Sequence, residues 1–511
     1  MTSDVAASSV DRGDVVLPRV PARRRTRDTR PFVVGLVACM VAGAAVRVAN
    51  VLWWRPTTRA GTGFVLGGDS FYYHWQANAL ADGQWFVDPF RWANDGVTIA
   101  SSAHPPLYPL YLAVSSSFGV DTVTGHRLAS CVLGVATVAV VGILAYRLAG
   151  TVAGIVGAAI VALYPQLWIN DGMVMSESLV VLMAALVLLA AYSFAARPSM
   201  RSAIALGITC GAATLTRTEL SLLFPLLVLP LALMVRDETW PRRIKLVVAA
   251  GIAGAVLIVP WVTFNMTRFD EPTLLSTGTG SALSAASCDA VYYGSKIGYW
   301  DYCFKGPWPP ANADESVRDT APRDAATEYI TDHLDRLPIV ALARVGRIWG
   351  VFKPGQTTTF EWSQEARGRA ASWAALVVYY ALVPFSIVGL VAMRKRRIPI
   401  WPVVALFVIA TFAAATTFGV TRYRAPAEIG LVLAAAIGIA ATVEWLRRRR
   451  VRTREHAAPD DTGATAQRDE FELPAHSSRH AFRGSTGIRK PKFVNAAPTL
   501  STNRPAVIGA R

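Results

Sequence analysis

Pro31-Phe-Val-Val-Gly-Leu-Val-Ala-Cys-Met-Val-Ala-Gly-Ala-Ala-Val-Arg47-Val-Ala-Asn50-Val-Leu-Trp-Trp54 is almost uninterrupted apolar sequence, and it follows the arginine-rich run Arg19 to Arg30. A bilayer core about 30 Å thick requires roughly 20 helical residues. The stretch therefore predicts a first membrane span. It is too long and too apolar for a cleaved signal peptide, and no small-residue cleavage site interrupts it. The same pattern recurs at 126–149, 151–169, 174–196, 201–217, 219–235, 243–264, 371–393, 399–418 and 425–445, which predicts ten spans.

Composition agrees with that reading. The 511 residues are 53% hydrophobic and only 17% charged, with mean hydropathy +0.35. A soluble domain carries about 25% charged residues. Whole-chain disorder and a small disulfide-stapled scaffold are excluded, leaving an all-α polytopic membrane protein. The formal charge of +16 would suggest nucleic acid only if it were clustered on a soluble face. Here the arginines sort by side. With the N-terminal tail in the cytoplasm, Arg197 to Arg201, Arg236 to Lys245, Arg394 to Arg397 and Arg447 to Arg450 all fall on the cytoplasmic side, as the positive-inside rule requires. No nucleic-acid partner is expected.

The predicted organisation is a basic cytoplasmic tail (1–30), a transmembrane domain (31–445) and a disordered cytoplasmic tail (446–511). Two extracytoplasmic loops, 55–104 and 265–370, are acidic or close to neutral. Segment 105–119 is ambiguous. As an eleventh span it would put Arg394 to Arg397 outside, and its prolines and short length favour a juxtamembrane or re-entrant helix. Cys39, Cys131 and Cys210 lie in spans, where they read as small packing residues. Cys288 and Cys303 share the second loop, and an oxidising compartment permits a bridge between them. Spacing alone leaves that pairing open.

Polar residues converge on the predicted outer face. They are Asp69 in Gly67-Gly68-Asp69-Ser70-Phe71-Tyr72-Tyr73, His104-Pro105-Pro106, Asn170-Asp171, Ser176-Glu177, Thr216-Arg217-Thr218-Glu219 and Arg422-Tyr423-Arg424-Ala425-Pro426. Each has a plain structural explanation: a helix cap for Asp69 or Glu177, a surface pair for Arg217 with Glu219, snorkelling for Arg422 and Arg424. As a set they suit chemistry. Carboxylates at the mouth of a membrane cavity can deprotonate a hydroxyl or hold a divalent ion. Arginines offer permanent, bidentate positive charge to a phosphate leaving group. No P-loop or dinucleotide-binding glycine motif occurs.

These motifs resemble those of the GT-C membrane glycosyltransferases, in the branch containing protein O-mannosyltransferases and lipid A aminoarabinose transferases. Gly68-Asp69 with Tyr72-Tyr73 resembles the acidic motif of the first outer loop, and His104-Pro105-Pro106-Leu107 the basic-Pro-Pro-Leu element. Met175-Ser176-Glu177 resembles the second acidic position, Leu215 to Glu219 the Thr-Arg-Pro-Glu element, and Arg422 to Pro426 the Arg-Tyr/Phe-Arg-x-Pro element. The resemblance spans roughly residues 31–445. It implies a GT-C-type helical bundle with extracytoplasmic juxtamembrane helices, which moves a sugar from a polyprenyl phosphate to a hydroxyl on a glycan, lipid or protein. By resemblance Asp69 is the catalytic base and Glu177 a second functional carboxylate. Tyr72, Tyr73, His104, Arg217, Glu219, Arg422 and Arg424 are substrate-binding candidates.

The sequence departs from the pattern in two places. Ser70 stands where the first motif often has a second acid, so metal dependence stays open, with Asp69, Asp171 and Glu177 as candidate ligands. Thr218 replaces a proline. Alanine- and arginine-rich composition is compatible with a high-GC bacterium, hence a bacterial plasma membrane, and the arginine placement puts both termini in the cytoplasm. A secondary transporter or lipid flippase, or a non-catalytic envelope-assembly protein, are the competing readings. A transporter would place its charges near the bilayer midplane, often within internal repeats, and neither feature is evident.

Overall fold

A computed structural model describes residues 29–54, 66–235, 237–307, 309–310 and 313–457. Among them the regular elements are all helices, with a single isolated bridge between Val87 and Ala100. One compact unit runs to Arg452. The tail predicted from 446 begins as a continuation of the last helix, Ala425–Ala457. Residues 1–28, 55–65 and 458–511 lie outside the described residues.

Among the described residues, six helical stretches are long and apolar enough to cross a bilayer: Arg30–Trp54, Val123–Ala149, Glu177–Ala196, Trp240–Met266, Arg369–Lys395 and Thr421–Val451. A backbone in hydrocarbon must satisfy its own hydrogen bonds, which helices do internally. One further pair, Thr151–Leu163 and Pro165–Asp171, is apolar and long enough only when taken together and meets at a bend of 52°, the form of a broken span or a re-entrant loop. The remaining predicted spans are helical but short, at Met200–Thr214, Thr218–Leu233 and Trp401–Thr416. Proline is one cause. Pro225 and Pro230 withhold two backbone N–H groups from Thr218–Leu233, which winds as 3-10, π and then α turns. Segment 105–119 forms the helix Leu107–Ser117, only 11 residues long. That is about half of what a span requires, so it is no eleventh crossing. It packs against the helix Asp69–Ala81, through Tyr73, Ala77, Tyr108 and Leu112.

The break at Pro165 has a specific repair. Proline cannot donate to the carbonyl four residues back, and the bend strands Val161, Ala162 and Leu163. Arg47, from the middle of the first apolar run, donates Nη2 to Val161 O at 3.1 Å and Nη1 to Ala162 O at 3.1 Å. Trp168 Nε1 supplies Leu163 O at 3.0 Å. Asp171 then neutralises Arg47 at 2.7 Å, both side chains being 1% exposed. Gly134 makes room for the pair, since a Cβ there would collide with Arg47 Nε and Asp171 Oδ2.

The helices place Arg47, Asp171, Glu177, Arg217 and Arg422 toward one end of the bundle. Their other ends carry Arg147, Arg197, Arg394 to Arg397 and Arg447 to Arg450. Segments from both predicted loops cover the first end. Glu315 accepts from Ser101 Oγ at 3.1 Å and Thr277 Oγ1 at 2.7 Å. Arg318 pairs with Asp88 at 2.8 Å, and Arg268 donates to Phe86 O at 2.8 Å. Burial drives the Glu315 carboxyl upward, against the hydrogen bonds that favour its charged form. Cys288 and Cys303 are joined in a disulfide within this cover.

Candidate active site

Asp69 opens the helix Asp69–Ala81 directly after Gly68, whose φ of 55° is a conformation that a residue with a Cβ rarely adopts. That turn aims the carboxylate across the end of the bundle. Its Oδ2 accepts from Arg422 Nη1 at 2.7 Å, while Oδ1 lies 3.6 Å from His104 Nε2. The rings of Tyr72 and Tyr73 each stand 4.9 Å from the imidazole and hold it between them. Asp69 remains 33% exposed. Burial pushes its carboxyl up, but the Arg422 charge and the His104 contact outweigh that and hold it well below the usual carboxylate range. It is ionised, and while capped it is a weak proton acceptor.

Glu177 begins the next acidic group in the first turn of Glu177–Ala196, where the helix dipole favours negative charge. It is fully buried and accepts from Arg217 Nη1 at 2.9 Å. Arg217 Nε reaches Glu219 at 2.6 Å. The Arg217 guanidinium lies 4.7 Å above the Tyr423 ring, and Arg422 approaches the same ring at 5.9 Å. Tyr423 thus links the two ion-pair groups, which come from helices far apart in the chain.

The structure adds residues that the sequence reading passed over. Glu365 Oε1 lies 3.9 Å from Arg422 Nε, and its Oε2 pairs with Arg367 Nε at 2.9 Å. Glu361, one turn earlier, accepts from the backbone N–H of Thr421 at 2.8 Å. Burial and the neighbouring Glu365 charge raise the Glu361 carboxyl, with Arg367 opposing. The available signal was local: Glu361-Trp-Ser-Gln-Glu365-Ala-Arg367 is a charged run immediately before a predicted span, on the same predicted side as Asp69.

Two candidates are not brought to this group. Arg424 turns into the bundle, donating to Glu428 and to Ile348 O at 2.8 Å with its guanidinium 3.7 Å over Tyr379. Asp171 is taken by Arg47. The candidate metal ligands Asp69, Asp171 and Glu177 are consequently each held by a different arginine. Among the described residues no three His, Cys, Asp or Glu side chains are grouped to hold a metal ion. The donor set does not fit a metal centre built from those three carboxylates.

A family model described as dolichyl-phosphate-mannose-protein mannosyltransferase matches residues 103–264. That segment carries His104, Asp171, Glu177, Arg217 and Glu219. No curated protein matches the chain. Among solved structures it is similar to the Archaeoglobus fulgidus oligosaccharyltransferase tethered with an acceptor peptide containing the NVT sequon, at 14% identity and TM-score 0.45, over 83% of this chain and 52% of that one. It is also similar to the same organism's AglB in complex with an inhibitory peptide and a dolichol-phosphate, at 14% identity and TM-score 0.43, over 84% and 52%. ArnT from Cupriavidus metallidurans bound to undecaprenyl phosphate is similar at 15% identity and TM-score 0.38, over 81% and 78%. The chain spans about half the length of the oligosaccharyltransferases. The family match over residues 103–264, on a polytopic all-helical fold, supports the resemblance of this chain to the GT-C membrane glycosyltransferases.

Proposed function

We propose that the chain transfers a sugar from a polyprenyl-phosphate donor to an acceptor hydroxyl at the extracytoplasmic face of a bacterial plasma membrane. The observation that carries this reading is the meeting of Asp69, Arg422, Glu177 and Arg217 around Tyr423 at one end of the bundle. Asp69 takes the acceptor proton as the hydroxyl oxygen attacks the anomeric carbon. The bond from that carbon to the phosphate oxygen breaks, and the polyprenyl phosphate departs with the electron pair. Arg422 meets the negative charge that grows on the phosphate, which is where preorganised positive charge lowers a barrier most. Glu177 and Glu219 fix the Arg217 guanidinium against Tyr423, and Tyr72 and Tyr73 orient His104 beside Asp69. Arg424 serves the bundle rather than the donor. No step is routed through a metal ion.

Sidedness is supported by the basic residues at the opposite helix ends and by the disulfide in the cover, which suits an oxidising compartment. The acceptor is a hydroxyl-bearing glycan, lipid or protein, and both termini face the cytoplasm. The test uses purified protein in lipid, supplied with polyprenyl-phosphate sugars and candidate acceptors. Sugar transfer is expected, and Asp69→Asn should lower turnover by about 10²–10⁴-fold, the span of a lost general base, with melting little changed. Unchanged turnover in Asp69→Asn removes Asp69 as the base. Lipid movement across the bilayer with no covalent product would favour a flippase.

A further inference from the structure

Asp69 and Arg422 pose a conflict that the mechanism must resolve, because the residue that would accept a proton is capped by the residue that would bind the phosphate. The 2.7 Å contact between them occupies Oδ2, and His104 sits 3.6 Å from Oδ1. Arg217 has no such ambiguity: its Nε and Nη1 are committed to Glu219 and Glu177. Arg422 retains unused donor capacity. Its Nε is buried with no hydrogen-bond partner among the described residues and faces Glu365 at 3.9 Å, beyond hydrogen-bonding distance. A guanidinium carries five N–H donors and grips a phosphate with two of them in parallel. Only part of that fork is in use here.

We propose that Arg422 is an exchangeable cap on Asp69, removed by the donor itself: the lipid phosphate takes the guanidinium, and Asp69 is released as the base only when a donor is in place. This inference rests on the glycosyl-transfer reading above and specifies its order, donor first and acceptor second. The exchange is stoichiometric. One charge-assisted contact to a carboxylate is given up for a contact to a phosphate, and Glu365 remains beside the guanidinium in either position. Uncapped, Asp69 loses its nearest positive charge and becomes more basic. The acceptor proton then passes to Asp69, the acceptor oxygen bonds to the anomeric carbon, and the carbon–oxygen bond to the phosphate breaks. The departing phosphate gains negative charge, so its hold on Arg422 strengthens as the reaction proceeds. When the polyprenyl phosphate leaves, Asp69, which is 33% exposed, gives its proton to solvent, Arg422 returns to the carboxylate and the site is closed to further proton removal.

The cap makes a prediction that a simple base does not. Undecaprenyl phosphate, which carries no sugar, is titrated against the full chain in lipid nanodiscs and its equilibrium binding measured. Asp69→Asn should bind it roughly tenfold tighter than the wild type, because Arg422 no longer has a carboxylate to leave, and one charge-assisted hydrogen bond corresponds to about that factor. Arg422→Gln should bind more weakly. The double variant should match Arg422→Gln, since without the arginine there is nothing to release. Arg422→Lys, which keeps the charge without the fork, guards against a folding defect and should fall between wild type and Arg422→Gln.

Equal or weaker binding by Asp69→Asn, with the wild type binding, overturns the cap and leaves the donor assignment standing. A tenfold gain that persists in the double variant also overturns it, because Asp69 would then be repelling the phosphate directly. Failure of the wild type to bind polyprenyl phosphate at all overturns the donor assignment and the cap together.

Discussion

Asp69–Arg422 and Asp171–Arg47 are the same chemical pair at the same distance, 2.7 Å. They differ in surroundings. In the first, the side chains are 33% and 17% exposed and the guanidinium keeps an unused N–H. In the second, both are 1% exposed and the guanidinium also serves backbone carbonyls stranded by a proline. A buried charge that loses its partner is left in a medium that cannot solvate it. The enclosed pair is therefore committed to architecture, whereas the open pair can exchange its partner for a ligand.

Breaking the two pairs should separate these roles. Asp69→Asn should remove activity by about 10²–10⁴-fold, seen in transfer assays, while the melting profile stays close to that of the wild type. Asp171→Asn should do the reverse by a different route. An uncompensated Arg47 costs about 3–5 kcal/mol, which denaturation in detergent would register, and residual activity should follow the folded fraction. Equal loss of stability in both variants would erase the distinction.

Smaller perturbations sharpen it. Serine at Cys288 and Cys303 opens a loop with a sequence separation of 15, worth about 3 kcal/mol in the chain-entropy picture. Proteolysis should report that loss in the cover before the bundle yields. Gly134→Ala forces a methyl group against Arg47 and Asp171 and should cost about 1–3 kcal/mol as overpacking, lowering the melting temperature without a change in donor binding.

The smallest effect is on pH dependence. The folded-state pKa of Asp69 is depressed, so its ion pair stabilises the fold above the unfolded value, about 3.9, and that contribution is lost as pH falls through the folded value. The difference in melting temperature between wild type and Asp69→Asn should be flat from about pH 5 to 8 and shrink below about 4.

Much of the architecture was legible because it rests on local properties. An apolar run of sufficient length specifies a helix in lipid, and clustered arginines specify its end. The motifs around Asp69, Glu177 and Arg217 could be found for the same reason. Partner choice was not legible. Arg422 and Arg424 are two residues apart in one short turn, yet one reaches Asp69 and the other Glu428. Neither spacing nor residue type distinguishes them. Asp171 stood beside Asp69 only as a candidate metal ligand, and nothing local showed that Arg47, 124 residues away, holds it. Glu365 and Arg367 sat in a loop with no periodicity to mark them.

The sequence alone determined that this chain is a many-helix membrane protein with its sparse charge sorted between two ends, because hydrophobic length and arginine placement act residue by residue. The tertiary structure decided which charges answer one another. A helix bent at Pro165 brings Arg47 to Asp171, and a turn at Gly68 brings Asp69 to Arg422. Such pairings depend on side chains from distant helices arriving at the same few ångströms, and no local pattern encodes that.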